Sequence, residues 1–273
     1  MLDKKSAVCL LTILACFFLF ADQPQAAVKM NVDPPRVEIT MAPGQEQGGQ
    51  ISIFNHDQTG PIHVKAYVND LVYLPDGSND FLASGTTPWS VADWVKISPT
   101  EFEVPPGEPK QVRYIVEIPP GAQGGRYGVV FFEISPRLQE LKDKTGAAVN
   151  LRIGSIFLLV AKGTEVNSAE LIDLKVGSAD AAGSFAISCN IRNDSNILVR
   201  PFGTVKILSD ASTELAEVMI NESKSGVLPG TSRQFSATYD QTKLAPGEYS
   251  ALAVLDYGGE VLLGGQSRFT ISR

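Results

Sequence analysis

The chain has 273 residues, 44% of them apolar, and a formal net charge of −7 with acidic and basic residues interspersed. That is enough for two domains of ordinary size, each burying its own core. No basic patch or stripe is available to a nucleic acid, and no block of like charge marks a disordered tail.

At the N-terminus, Lys4 and Lys5 precede an almost wholly apolar run over 6–21, and Gln23-Pro-Gln-Ala-Ala27 supplies small residues for cleavage near Ala26 or Ala27. This pattern reads as a secretory signal peptide over 1–27. The apolar run is too short for a comfortable span and no other stretch could cross, so an exported protein without a stable membrane span is expected. Leu14-Ala15-Cys16 loosely resembles a lipid-attachment box, which leaves lipid anchoring at Cys16 as the alternative. Cys9 and Cys16 leave with the signal peptide. The mature chain then keeps only Cys189, and no internal disulfide can form.

The first unit is expected over 28–163. Alternating apolar residues predict strands at 37–41, 49–55, 62–74, 94–98, 110–118 and 127–135. Residues 75–88, rich in Gly, Asp, Asn and Thr, read as loop. Trp94 reads as a core residue and Trp89 as a loop residue. The segment 136–148 is charged, lacks alternation and reads as a long mobile loop. A last strand is predicted at 147–160, in which Ala147, Val149, Leu151 and Ile153 share one face. Gly154-Ser155 interrupts it as a bulge would, and 156–160 is apolar throughout. Lys162-Gly163 is the expected hinge. The second unit, 164–273, offers strands at 171–176, 184–192, 199–208, 215–220, 232–239, 249–257 and 260–271, the last with Gly264-Gly265 as a bulge. Cys189 falls on the apolar side of the second of these, with Phe185, Ile187 and Ile191, as a buried structural thiol would.

The two units share a phrase. Val104-Pro-Pro-Gly107 runs through Lys110-Gln111 to Gly125-Arg-Tyr127, and Val227-Leu-Pro-Gly230 runs through Arg233-Gln234 to Gly247-Glu-Tyr249. The Gly107–Tyr127 and Gly230–Tyr249 spans differ by one residue, as two copies of one unit would. A Pro-Gly turn, a strand, then a strand with a tyrosine near its start suits an immunoglobulin-like sandwich, with Tyr127 and Tyr249 as corner tyrosines. No stretch of helical length has a 3.6-residue period outside the signal peptide. The fold is therefore read as all-β: two immunoglobulin-like β-sandwich domains in tandem after a signal peptide.

Catalytic chemistry has little to stand on. His56 and His63 are the whole imidazole supply, short of a zinc set. There is no Gly-x-Ser-x-Gly and no phosphate cradle; Gly121-Ala-Gln-Gly-Gly125 is a turn before a strand. Neither an enzyme, a cofactor nor a metal is expected.

An exported chain of two such units joined by a short hinge resembles the PapD-like periplasmic pilus (fimbrial) chaperones, as a divergent member. The resemblance rests on the sizes and order of the units, on Pro35-Arg36-Val37 in the first strand with Phe54-Asn55 ending the next, and on the long loop before an alternating last strand. It implies a periplasmic assembly chaperone. The partners it implies are a secreted pilus-like or surface subunit and an outer-membrane assembly platform. It implies that Ala147, Val149, Leu151 and Ile153 are lent to the subunit's incomplete sheet, a strand addition in which main-chain hydrogen bonds give affinity and alternate side chains fill pockets. It further implies a basic pair in the cleft between domains that holds the subunit's terminal carboxylate. Arg36 matches the first base. The second has no clean match: register points at Leu158, with Arg152 and Lys162 as displaced candidates. The alternative function is an exported structural or adhesive two-domain surface module. It would bury 147–153 and bind near Trp89, Asn79-Asp-Phe81 and the 75–88 loop.

Overall fold

The computed structural model describes residues 30–56, 60–134, 151–180 and 183–272. The signal peptide with Cys16, the 136–148 loop, Ala147 and Val149 lie outside these. Among the described residues the chain is all strand and turn, with a single 3₁₀ turn at Gln241–Lys243. They form two immunoglobulin-like sandwiches in tandem.

Among the described residues seventeen strands make four sheets. In the first sandwich, β1 (Met30–Asp33), β3 (Glu46–Asn55), β8 (Lys110–Glu117) and β6 (Val95–Ser98) pair in that order. They face a sheet ordered β2 (Arg36–Met41), β10 (Arg152–Ala161), β9 (Gly125–Ile134), β4 (Ile62–Tyr73) and β5 (Asn79–Ala83), with β7 (Glu101–Val104) also on β4. In the second sandwich, β11 (Ala169–Val176), β12 (Ser184–Asn193) and β15 (Ser232–Asp240) form one sheet. The other is β14 (Glu214–Ile220), β13 (Phe202–Ser209), β16 (Gly247–Asp256) and β17 (Leu263–Ile271).

Alternation sets the cores. Along β8, Val112, Tyr114 and Val116 are buried while Gln111, Arg113, Ile115 and Glu117 are exposed. Along β12, Phe185, Ile187, Cys189 and Ile191 point inward. Cys189 is a free buried thiol, pushed up to about 12 by burial. Trp94 joins the first core with Phe132, Phe157 and Ile51. The central strand β9 is buried on both faces: Val130 and Phe132 meet the core, and Tyr127, Val129 and Phe131 pack on its other side.

The shared phrase has a structural reason that spacing alone does not show. Each Pro-Gly turn is held by an asparagine ending an earlier strand. The Asn55 amide donates to the Val104 carbonyl at 3.0 Å, and the Asn193 amide to the Val227 carbonyl at 2.8 Å. The backbone N–H of Gly230 returns to the Asn193 carbonyl at 2.8 Å, and that of Gly107 to the Asn55 carbonyl at 3.4 Å. Both asparagines are buried.

Two expectations change. The 75–88 segment contains β5, because Leu74 to Ser78 closes a turn and Asn79–Tyr73 through Ala83–Asn69 then pair. Asp70 organises the turns after β5: wholly buried, it accepts from the N–H of Gly85, the N–H and hydroxyl of Thr87 and the hydroxyl of Ser90. Nor are there bulges at Gly154-Ser155 or Gly264-Gly265, where register is continuous. Gly154 is there for space: a Cβ would collide with Val129 Cγ2 and stand 3.1 Å from the Phe131 ring. The bulges fall instead at Leu171/Asp173 and Ile207/Leu208.

Candidate functional site: an open strand edge and a basic cleft

The first strand changes sheets at Pro34-Pro35. Residues 30–33 pair with β3. Residues 36–41 then run parallel to β10, from Ile156–Arg36 to Ala161–Met41. The crossing is pinned by Ser155 Oγ donating to the Pro34 carbonyl at 2.8 Å and by the Ile156 N–H donating to the Pro35 carbonyl at 3.0 Å. Proline suits the crossing because it has no N–H to leave unpaired.

The switch leaves part of β10 without a neighbour. On its other side β10 pairs with β9 all the way back to Arg152–Glu133, and the Leu151 carbonyl still accepts from Ile134. Since 156 turns its N–H to β2, the two-residue period turns the peptide groups of Gly154 and Arg152 the same way. Among the described residues no strand pairs with them there. The side chains of Leu151 and Ile153 share the inward parity of Ser155 and Phe157. Both are half-buried, and Ile153 packs against the core. Arg152 is exposed on the opposite face, its guanidinium 4.5 Å over the Phe131 ring.

Arg36 lies at the other end of this region, in a cleft of about 180 Å³ between the sandwiches. The first sandwich contributes Arg36, Tyr73 and Ile156, and the second contributes Arg200, Lys224 and Arg233. Glu38 Oε1 lies 3.5 Å from Arg36 and 2.9 Å from Arg200, so one carboxylate spans both sandwiches. Arg233 stacks 5.3 Å from Tyr73 and donates to the carbonyls of Gly226 and Gly77. At Gly77, φ is +87° and a Cβ would press on the Arg233 guanidinium, so a side chain there would be strained. Burial lowers the Arg233 pKa from its ordinary value, and its Nε is buried without a partner. Burial raises the Tyr73 phenol, partly offset by Arg36 and Arg233.

The other expected bases stand elsewhere. Arg152 and Lys162 do not line this cleft; at about 3.3 Å per residue they are roughly 20 and 13 Å along the strand from Leu158. Leu158 itself is part of an apolar plug with Leu71, Tyr127 and Leu228, which the second sandwich supplies. The bases that join Arg36 come from β15 and from loops of the second sandwich. No single-strand register could have revealed them.

Tyr127 is a second departure. In the second sandwich Tyr249 behaves as a corner tyrosine, its hydroxyl donating to the Ala245 carbonyl at 2.6 Å. The Tyr127 hydroxyl instead accepts the N–H of Leu198, in the other sandwich, at 2.6 Å. Two residues back, the Gly125 N–H donates to the Asn196 carbonyl at 2.9 Å. The same position in the duplicated unit closes a corner in one copy and the domain interface in the other.

The aromatics of the 75–91 region are committed inward. The Trp89 indole N–H donates to the Leu71 carbonyl at 3.0 Å, and Phe81 meets Phe131 edge-on at 4.8 Å. Among the described residues no group of three or more His, Cys, Asp or Glu side chains is placed to hold a metal, and no helix is long and apolar enough to cross a membrane.

The architecture is that of a tandem two-sandwich protein whose first strand is shared between sheets. No family model and no curated protein matches the sequence. Solved structures similar to it include the class 5 fimbriae chaperone CfaA, at 13% identity and TM-score 0.47, covering 87% of this chain and 98% of that one. The E. coli chaperone DraB is similar at 13% identity and TM-score 0.40, covering 89% and 95%. So is a Salmonella enterica SafA pilin complex with the SafB chaperone, at 13% identity and TM-score 0.39, covering 89% and 96%.

Proposed function

We propose that this chain is a periplasmic assembly chaperone, with domains 28–163 and 164–273 behind a cleaved signal peptide. It holds a pilus-like or surface-fibre subunit by lending it the strand at about 147–153. The observation that carries this reading is the edge of β10 before Ile156, which no strand covers among the described residues. An open edge bearing apolar side chains is an aggregation hazard that proteins suppress unless a partner uses it. Here the peptide groups of Arg152 and Gly154 face the space left by the strand switch, while Leu151 and Ile153 point toward the sandwich interior. An incoming strand would find main-chain partners and apolar knobs together. Arg36 supports a carboxylate anchor, since a guanidinium fork matches a carboxylate in charge and shape. The inward commitment of Trp89 and Phe81 weighs against a sugar- or protein-binding loop at 75–88.

In-cell photo-crosslinking from Leu151 and Ile153, with exposed Gln50 on β3 as control, tests the proposal. Crosslinks to one or a few small secreted proteins from 151 and 153, and none from 50, are expected. No adduct from either site, with both side chains protected in the purified protein, overturns strand donation and leaves a structural or adhesive module.

A further inference from the structure

Among the described residues, the lining of the cleft around Arg36 includes cations and no carboxylate. Arg200, Lys224 and Arg233 line it as well. Among the described residues, Glu38 is shared by Arg36 and Arg200, and Asp76 lies near Arg233. Asp76 is itself engaged by the N–H and hydroxyl of Ser78. Arg200 hydrogen-bonds Glu38 at 2.9 Å, whereas Arg36 at 3.5 Å makes only an ion pair, beyond ordinary hydrogen-bond length. Each guanidinium has five donors in a planar fork that suits a two-oxygen anion. Glu38 offers these forks one shared oxygen.

The Glu38–Arg200 pair also contributes little to joining the sandwiches. Its side chains are 48% and 37% exposed, and exposed ion pairs are weak. The joint is also held by the Tyr127–Leu198 and Gly125–Asn196 bonds, by Arg233 on Gly77 and by the Leu158–Leu228 plug. Glu38 can therefore leave Arg200 without opening the interface.

We propose that Glu38 is a resident competitor in an oxyanion site made by Arg36 from one sandwich and Arg200 from the other. An incoming carboxylate binds by taking the place of Glu38, and anion affinity is held down by this one acid. The ligand's identity, the terminal carboxylate of a bound peptide chain, rests on the strand-donation reading; the site rests only on the side chains described.

The test is a titration of the intact mature protein, followed through its arginine side-chain N–H signals. Three probes are used: inorganic sulfate, an acetylated apolar hexapeptide with a free C-terminus, and its C-terminally amidated twin. Sulfate and the free-acid peptide are expected to shift the Arg36 and Arg200 signals, and the amidated peptide to leave them unmoved. Glu38→Gln is expected to tighten both binding probes about threefold, as removal of a weak exposed ion pair allows. Arg36→Gln and Arg200→Gln should each weaken them by at least that factor. Unchanged melting temperatures would show that these exposed substitutions leave the fold intact. Unchanged or weaker binding in Glu38→Gln, or shifts mapping away from Arg36 and Arg200, overturns the proposal. If sulfate follows the pattern but the free-acid peptide does not, the carboxylate assignment falls and the cleft serves small inorganic anions. Loss of the photo-crosslinks with the anion pattern intact would remove strand donation and leave the cleft.

Discussion

Replacing Tyr127 with phenylalanine removes one oxygen from the domain interface and nothing else. The ring stays in the plug with Leu71, Leu158 and Leu228, so apolar burial is unchanged. The Leu198 N–H loses its acceptor at 2.6 Å. This bond is part-buried, so the orphaned donor costs about 1–1.5 kcal/mol, the low end of the range for a buried one. At roughly 1.4 kcal/mol per tenfold change in an equilibrium, the population in which the sandwiches part at this point should rise about tenfold. Native-state amide hydrogen exchange reads this directly: the Leu198 amide in Tyr127→Phe should lose about an order of magnitude of protection, while β12 and β8 amides deep in each core keep theirs. Tyr249→Phe is the matched control, because its hydroxyl serves the Ala245 carbonyl within the second sandwich. That variant should loosen the turn before β16 and leave Leu198 as it was. Unchanged Leu198 protection in Tyr127→Phe, or the same loss in Tyr249→Phe, would refute the assignment of Tyr127 to the interface.

Asn193→Ala should lower the stability of the second sandwich by about 2–3 kcal/mol in urea denaturation, since it orphans the Ile197 carbonyl and the Ser195 N–H and leaves the Val227 carbonyl with only the Val199 N–H; a loss under about 0.5 kcal/mol would show that the turn does not depend on it. Asp70→Ala should cost about 3 kcal/mol and raise protease sensitivity at 83–90, because four donors lose a charged acceptor. Alkaline pH should destabilise the protein through its buried thiol. The folded-state pKa of Cys189, about 12, lies above the ordinary thiol value of 9.0 because burial disfavours the thiolate. The unfolded chain therefore releases this proton first, and the thiol's contribution is full below about pH 9 and lost as pH rises toward 12. Melting temperatures measured from about pH 8 to 11 should fall less steeply in Cys189→Ala than in the parent; identical slopes would exclude the thiol as the cause.

Strand positions and cores were legible because alternation is a local signal: β8 and β12 could be read residue by residue. β5 was not, because Asn79-Asp80-Phe81-Leu82-Ala83 alternates poorly and is fixed by pairing with β4 and by the contact of Phe81 with Phe131. Arg36 is reached from the sequence only through the resemblance, and 147–153 through the resemblance together with its alternation. The companions of Arg36 are reached by neither. Arg200, Lys224 and Arg233 reach the cleft only because one sandwich docks on the other, and no spacing in the sequence encodes that approach.

The duplication explains why the interface was harder to read than either sandwich. A repeated unit inherits its internal contacts, so the asparagine that clamps each Pro-Gly turn is the same residue type in both copies, at Asn55 and Asn193. Contacts between copies have no counterpart within one copy, and residues must be diverted to make them. Tyr127 has left the corner that Tyr249 still closes. Arg233, at the position matching Lys110 in the phrase, pairs with Ile191 in its own sheet as Lys110 pairs with Ile53. Its guanidinium, however, reaches Gly77 and Tyr73 in the other sandwich. Such departures between matched positions mark where one copy was adapted to the other. Here they converge on the cleft that holds Arg36, so the residues that fix the angle between the sandwiches also shape the site proposed to bind an anion.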